Sequence, residues 1–164
     1  MAREDQRPVQ QSVLDRLIDG EPFNRNEAPL TRLQSVRALK VAVRRDLEWL
    51  LNTRAIPVTV PEEFDEVRDS FFTFGLSDIT SMSADDPRSR LRLRQMIERA
   101  ISMFEPRLAS VQILEPAAEG KESRQLRFRI EALLRVDPAP EQVVFSTVLD
   151  VATGEYLIRS ESGA

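Results

Sequence analysis

"LRFRIEALLRV", running from Leu126 to Val136, decides the fold. Leu126, Phe128, Ile130, Ala132, Leu134 and Val136 occupy one parity, while Arg127, Arg129, Glu131, Leu133 and Arg135 occupy the other. A period of two places alternate side chains on opposite faces of a strand, so this stretch predicts a strand with an apolar inner face and an arginine-rich outer one. Downstream, "QVVFSTVLDV" (142–151) alternates in the same way, and "ATGEYLIRS" (152–160) reads as a turn at Thr153 and Gly154 followed by a short last strand. Upstream, Val111 and Ile113 begin another alternation.

Before residue 105 the period is helical. "PVQQSVLDRLID" (8–19) repeats Val9, Val13, Leu14, Leu17 and Ile18 at helical spacing, with Gly20 to end it and the proline-containing segment from Gly20 to Leu30 as a linker. Its apolar face suits either a partner or its own domain. "SVRALKVAVRRDLEWLLN" (35–52) predicts the longest helix, with Ser35 as N-cap, an inward stripe of Val36, Leu39, Val43, Leu47, Leu50 and Leu51, and Asn52 as an end residue that tolerates left-handed dihedrals. "TRAIPVTVP" (53–61) runs extended. A short helix through "EEFDEVRDSFF" (62–72) would turn Phe64, Val67 and Phe71 inward and Glu62, Glu66 and Asp69 outward. Asp86 and Pro87 open a further helix carrying Leu91, Met96, Ile97, Ala100, Ile101 and Phe104, which stops near Glu105 because a residue before proline avoids helical dihedrals. Helices in one block and strands in the next predict an α+β domain, with amino-terminal helices packed on one face of a small antiparallel sheet from the carboxy-terminal half. The division expected is residues 1–34 as helix and linker and 35–164 as one domain.

Composition narrows the function. At 164 residues, with 41% hydrophobic and 30% charged residues, the chain is the size of one ordinary globular domain, and no apolar run approaches a membrane span. Its start, "MAREDQRPVQQ", lacks the apolar segment of a secretory signal, and with no cysteine there is neither a disulfide scaffold nor a thiolate site, so a cytoplasmic setting is expected. The formal charge of -4 argues against nonspecific nucleic-acid binding. Arginines nevertheless crowd two segments, Arg88, Arg90, Arg92, Arg94 and Arg99, then Arg124, Arg127, Arg129 and Arg135. They suit solvated faces or planar pairing with carboxylates, and the sheet face lacks the interleaved aromatics that an RNA reader stacks on.

With no histidine, a Ser-His-Asp triad and the usual zinc sites are excluded, and no glycine loop cradles a phosphate. The dense acidic set Glu62, Glu63, Asp65, Glu66 and Asp69 is the only basis for a two-carboxylate glycosidase, and its place at a helix start reads better as a solvated, dipole-favoured cluster. Met82, Met96 and Met103 read as core filling. No cofactor, metal or small-molecule substrate is expected.

Between helix and strand lies "MFEPRLASVQ" (103–112), and Glu105-Pro106-Arg107 marks the corner. Together with "RRDLEWLLNTR" (44–54) and "FGLSDIT" (74–80), in that order and ahead of a strand-rich tail, "FEPRL" resembles the TssE family of type VI secretion baseplate subunits, which is shared with the lysozyme-like baseplate wedge proteins of contractile-tailed phages. The start "SVLDRLIDGEP" (12–22) is similar to that family's, so the resemblance spans nearly the whole chain. It implies a structural, non-enzymatic subunit of the baseplate, in the cytoplasm near the inner membrane. Glu105, Pro106 and Arg107 would dock it on the helical core bundle of TssF and TssG, and its strand-rich half would pair with the first TssB and TssC sheath ring to start sheath assembly. The region after Gln142 is the expected sheath-contacting part, and truncating Arg107 would weaken docking while leaving folding nearly intact. The alternative function is a peptidoglycan-cleaving lysozyme-like hydrolase.

Overall fold

Four strands, β1 (Leu108–Leu114), β2 (Gln125–Leu134), β3 (Glu141–Asp150) and β4 (Glu155–Ser160), form one antiparallel sheet in the order β1-β2-β3-β4. The computed structural model describes residues 7–18, 30–79, 86–115 and 125–160; the Gly20 stop, the Gly20–Leu30 linker, Met82 and Arg124 fall wholly or largely outside them. Register puts Ile113 opposite Ile130 and Ile130 opposite Phe145, with Phe128 opposite Thr147 and Thr147 opposite Ile158. The inner parity of β2 is therefore continuous with those of its neighbours, and Phe128, Ile130, Ala132, Leu134, Val143, Phe145, Leu149, Tyr156 and Ile158 are all buried. Each of the larger aliphatic and phenyl side chains among them contributes roughly 1.5–3 kcal/mol when fully withdrawn from water, which fixes the register because a one-residue slip would expose the whole set. Arg127, Arg129 and Arg135 lie exposed on the far side.

Helices α2 (Arg32–Asn52) and α4 (Pro87–Phe104) cover the inner face, α2 against β4 and α4 against β1, and touch each other. The architecture is the α+β arrangement expected, with the core between the helix pair and the sheet. Helix α4 starts and stops as the sequence predicts: Asp86 accepts from the N–H groups of Arg88 (3.2 Å) and Ser89 (3.0 Å), Pro87 follows it, and the helix closes at Phe104.

Three expectations are corrected. Helix α2 begins at Arg32, capped not by Ser35 but by a box in which Gln34 N–H donates to the Thr31 hydroxyl and Thr31 N–H to the Gln34 side chain. Ser35 is instead buried in the first turn, where its hydroxyl accepts from Val9 N–H (2.8 Å) and its carbonyl from the Gln11 amide (2.7 Å). Those two bonds hold residues 9–11 out of helix, so α1 is only Val13–Leu17, capped by Ser12. The third correction concerns residues 62–72. Helix α3 is a single turn, Asp65–Arg68, and Ser70 breaks the period by capping a 3₁₀ turn at Phe71–Thr73, so Phe64, Val67 and Phe71 are exposed rather than inward.

Both edges of the sheet carry hydrogen bonds from helix side chains. On β4, the Asn52 amide donates to Tyr156 C=O (2.9 Å) and accepts from Tyr156 N–H (2.8 Å), while Arg44 reaches Ile158 C=O (3.4 Å). Asn52 does end α2, but not in the left-handed region; its amide serves as one more rung of the sheet. On β1, Ile113 N–H donates to Glu98 of α4 (3.1 Å), and a bulge with Ser110 at φ 52° bends the strand. Strand β3 pairs on both sides, so among the described strands after Gln142 it is β4 that lies at an edge of the sheet.

Candidate docking site

Helix α4 delivers the chain into the corner at Glu105, whose N–H still closes the last turn on Ile101 C=O (2.8 Å). Pro106, exposed at the apex, cannot continue the helix, and Leu108 N–H folds back to Glu105 C=O (3.1 Å) as β1 begins. Arg107 is then tied to the sheet through its carbonyl, which accepts from Arg135 N–H (2.8 Å). The corner's backbone is thus fixed from both elements.

Its charges are fixed as well. The Arg107 guanidinium forks onto both carboxylate oxygens of Glu105, with Nε at 2.6 Å from Oε1 and Nη2 on Oε2, and Nη2 also meets Asp46 of α2 at 2.6 Å. Asp46 accepts in turn from Arg45 (2.9 and 2.7 Å), and Arg45 reaches Asp15 of α1 at 2.9 Å while lying 5.1 Å over the Trp49 ring. Asp15, Arg45, Asp46, Arg107 and Glu105 therefore form a chain of five charges alternating in sign. Hydrogen bonding to Glu105, reinforced by Asp46 and opposed by burial, pushes Arg107 further up. Burial alone would raise the Asp15 carboxyl, but the Ser12 hydroxyl and Arg45 outweigh it and hold it below the ordinary carboxylate range.

Sequence reasoning placed Glu105, Pro106 and Arg107 together, and the structure keeps them so; it also closes the charged pair on itself. Glu105 is only 4% exposed, whereas Arg107, Asp46 and Arg45 each keep roughly a quarter of the side chain in water. Folding that stays nearly intact without Arg107 does not follow from this geometry, since truncation would strand a buried carboxylate. Asp46, Arg45 and Asp15 were missed as members of the site. The signal in "RRD" (44–46) was weak, because two acids, Asp46 and Glu48, flank Leu47 of the inward stripe, and pairing across 61 residues is not readable from local spacing.

The other motifs also prove to be wiring. In "FGLSDIT", Gly75 adopts φ 110°, where an added Cβ would lie 2.4 Å from Thr53 C=O, and this lets Leu76 N–H bond that carbonyl (2.8 Å) while Ala55 N–H bonds Leu76 C=O (2.9 Å). "RRDLEWLLNTR" thereby touches "FEPRL" through Asp46, "FGLSDIT" through Thr53 and β4 through Asn52. The acidic set does not converge on a pocket. Glu62, Glu63, Asp65, Glu66 and Asp69 are all exposed, and Asp65 pairs with Arg68 one turn on. A cleft of about 570 Å³ lies elsewhere, at the β4 end of the sheet between Asn52–Arg54, Leu76–Ile79 and Gly154–Leu157. Among the described residues no helix is long and apolar enough to cross a membrane.

Residues 37–139, well over half of the chain, match the family model described as baseplate wedge protein gp25. The match runs from the first turns of α2 through the corner and β2 to the loop before β3. No curated protein and no solved structure matches.

Proposed function

The chain belongs to the gp25 baseplate wedge family, a structural component of a contractile-tail baseplate that assembles with other baseplate proteins, and on that premise we propose that it serves a type VI secretion system as the wedge subunit that docks on TssF and TssG and starts the sheath. The observation that carries this reading is the corner: an exposed proline held between a helix and a strand, backed by five charges of alternating sign. Preorganisation of this kind lowers the side-chain entropy lost on binding, so a partner helix meets a surface already in its bound shape. Pro106 supplies the apolar apex, and the exposed rims of Arg107 and Asp46 supply polar contacts beside it.

Sheath initiation by strand addition assigns the sheath contact to β4, which lies in the region after Gln142. Among the described residues, the outward backbone groups of β4 are met by the side chains of Asn52 and Arg44, which an incoming strand can replace rung for rung. Strand β1 is the poorer acceptor because its bulge turns the edge away. The subunit acts without catalysis: its densest acids are exposed on a single helical turn, and a glycosidase needs one carboxyl in apolar surroundings facing a second across the substrate. Its place is the cytoplasmic side of the inner membrane, where the baseplate meets the sheath.

Capture of TssF, TssG, TssB and TssC by the tagged chain tests this directly, alongside peptidoglycan turbidity with the purified protein. Capture of the wedge and sheath proteins without clearing is expected. Clearing without capture would replace the scaffold by a hydrolase.

A further inference from the structure

Residues 61–74 form a small hydrogen-bonded unit, α3 and the 3₁₀ turn packed together, that presents apolar side chains to water instead of to the core. Phe71 is 85% exposed, Phe64 50%, Phe72 41% and Val67 37%. Local bonds hold the unit in this form: Val67 and Arg68 N–H donate to Phe64 C=O, the Ser70 hydroxyl accepts from Phe72 N–H, and the Thr73 hydroxyl donates to Arg68 C=O at 2.7 Å. The aromatic side chains are therefore placed outward by the backbone, not left there by a missing contact. Phe71 lies 5.9 Å from Phe74 and Phe74 lies 5.2 Å from Phe104, a ladder of rings leading to the core beneath the Glu105 corner.

The rim is acidic. Glu62, Glu63, Glu66 and Asp69 are exposed, and no described residue pairs with any of them. Three exposed phenylalanines and a valine, interleaved in one short segment with exposed carboxylates, suit a protein partner that brings apolar anchors and positive charge. An anionic bilayer would be repelled by that rim, and a symmetric contact with a second copy would set acid against acid.

We propose that this face binds a basic amphipathic helix of a partner protein, with aliphatic side chains seated on Phe64, Val67, Phe71 and Phe72 and lysines or arginines over Glu62, Glu63, Glu66 and Asp69. It is a second interface, separate from the Glu105–Arg107 corner and standing on its own residues.

The test titrates the full-length protein into a fluorescein-labelled helical peptide with leucines at i, i+4 and i+7 and lysines on both flanks, read by anisotropy. A control peptide keeps the leucines and carries glutamates. Saturable binding of the lysine peptide alone is expected, weakened by rising salt and at least about tenfold by Phe71→Ser, as loss of a central aromatic anchor weakens other interfaces. The combined Glu62→Lys, Glu66→Lys and Asp69→Lys variant should switch preference to the glutamate peptide. Unchanged melting temperatures in both variants, whose altered side chains are exposed, show that folding is not what changed. Absence of binding, equal binding of the two peptides, or equal affinity in wild type and Phe71→Ser would overturn the proposal. So would tighter binding to phosphatidylglycerol vesicles, or self-association that Phe71→Ser abolishes while the peptide does not bind.

Discussion

Arg107 neutralises the buried Glu105 carboxylate and ties it to α2, so its loss is felt inside the fold before it is felt by any partner. Breaking a buried pair from one side commonly costs about 3–5 kcal/mol, and the partial exposure of Arg107 brings the expectation for Arg107→Ala to about 2–4 kcal/mol. Denaturant unfolding measures it; a change within error would mean that water replaces the guanidinium. At the far end of the same chain of charges, Asp15 is held below its ordinary value by Ser12 and Arg45 against the opposing effect of burial. A carboxylate with a depressed folded pKa contributes stability that is complete above the unfolded value of about 3.9 and disappears as pH falls through the lower folded value. Asp15→Asn should therefore be less stable than wild type at pH 7, with the gap closing below about pH 4. A gap unchanged by acid would remove Asp15 from the network. Thr147, 1% exposed, has a hydroxyl with no partner among the described residues. Thr147→Val keeps its shape, removes an unsatisfied group, and should raise stability by about 1 kcal/mol; a lowered melting temperature would show that the hydroxyl is satisfied after all.

Among the elements, strands and α4 were legible because their signals are local: unbroken alternation from Leu126 to Val136, and Asp86-Pro87 followed by helical spacing to Phe104. What misled was also local. Ser35 has the chemistry of an N-cap, but Thr31 with Gln34 makes a complete capping box and Ser35 serves the amino-terminal segment. Phe64, Val67 and Phe71 have the spacing of an inward stripe, yet the helix that would carry them lasts one turn. Strand order was the least readable feature, since nothing in "QVVFSTVLDV" says that both its sides are paired. That topology separates two proline variants. Val148→Pro removes a ladder donor from a central strand and should unfold the protein. Tyr156 and Ile158 bond outward, so by alternation Ser160 does too, and Ser160→Pro should leave circular dichroism and melting unchanged while blocking sheath assembly on β4. Normal sheaths with Ser160→Pro would move the sheath contact off this edge.

At the scale of the molecule, three motifs separated by tens of residues meet around the carboxy-terminal half of α2, and that convergence ties Glu105-Pro106-Arg107 into the fold as more than a helix stop. The sequence supplied the three residues of the corner; the fold supplied Asp46, Arg45 and Asp15, which no spacing rule could have gathered. Of the three, Pro106 is the exposed one and makes no charged contact, so it can be altered without touching the internal pairs. Pro106→Glu places a bulky charge at the apex and nothing in the core. The direct measurement is the affinity of purified TssF–TssG for this variant and for wild type, with melting temperature as the control. Docking through the corner predicts an affinity at least about tenfold weaker at an unchanged melting temperature, as loss of a central contact gives. Equal affinity for the two proteins would contradict it.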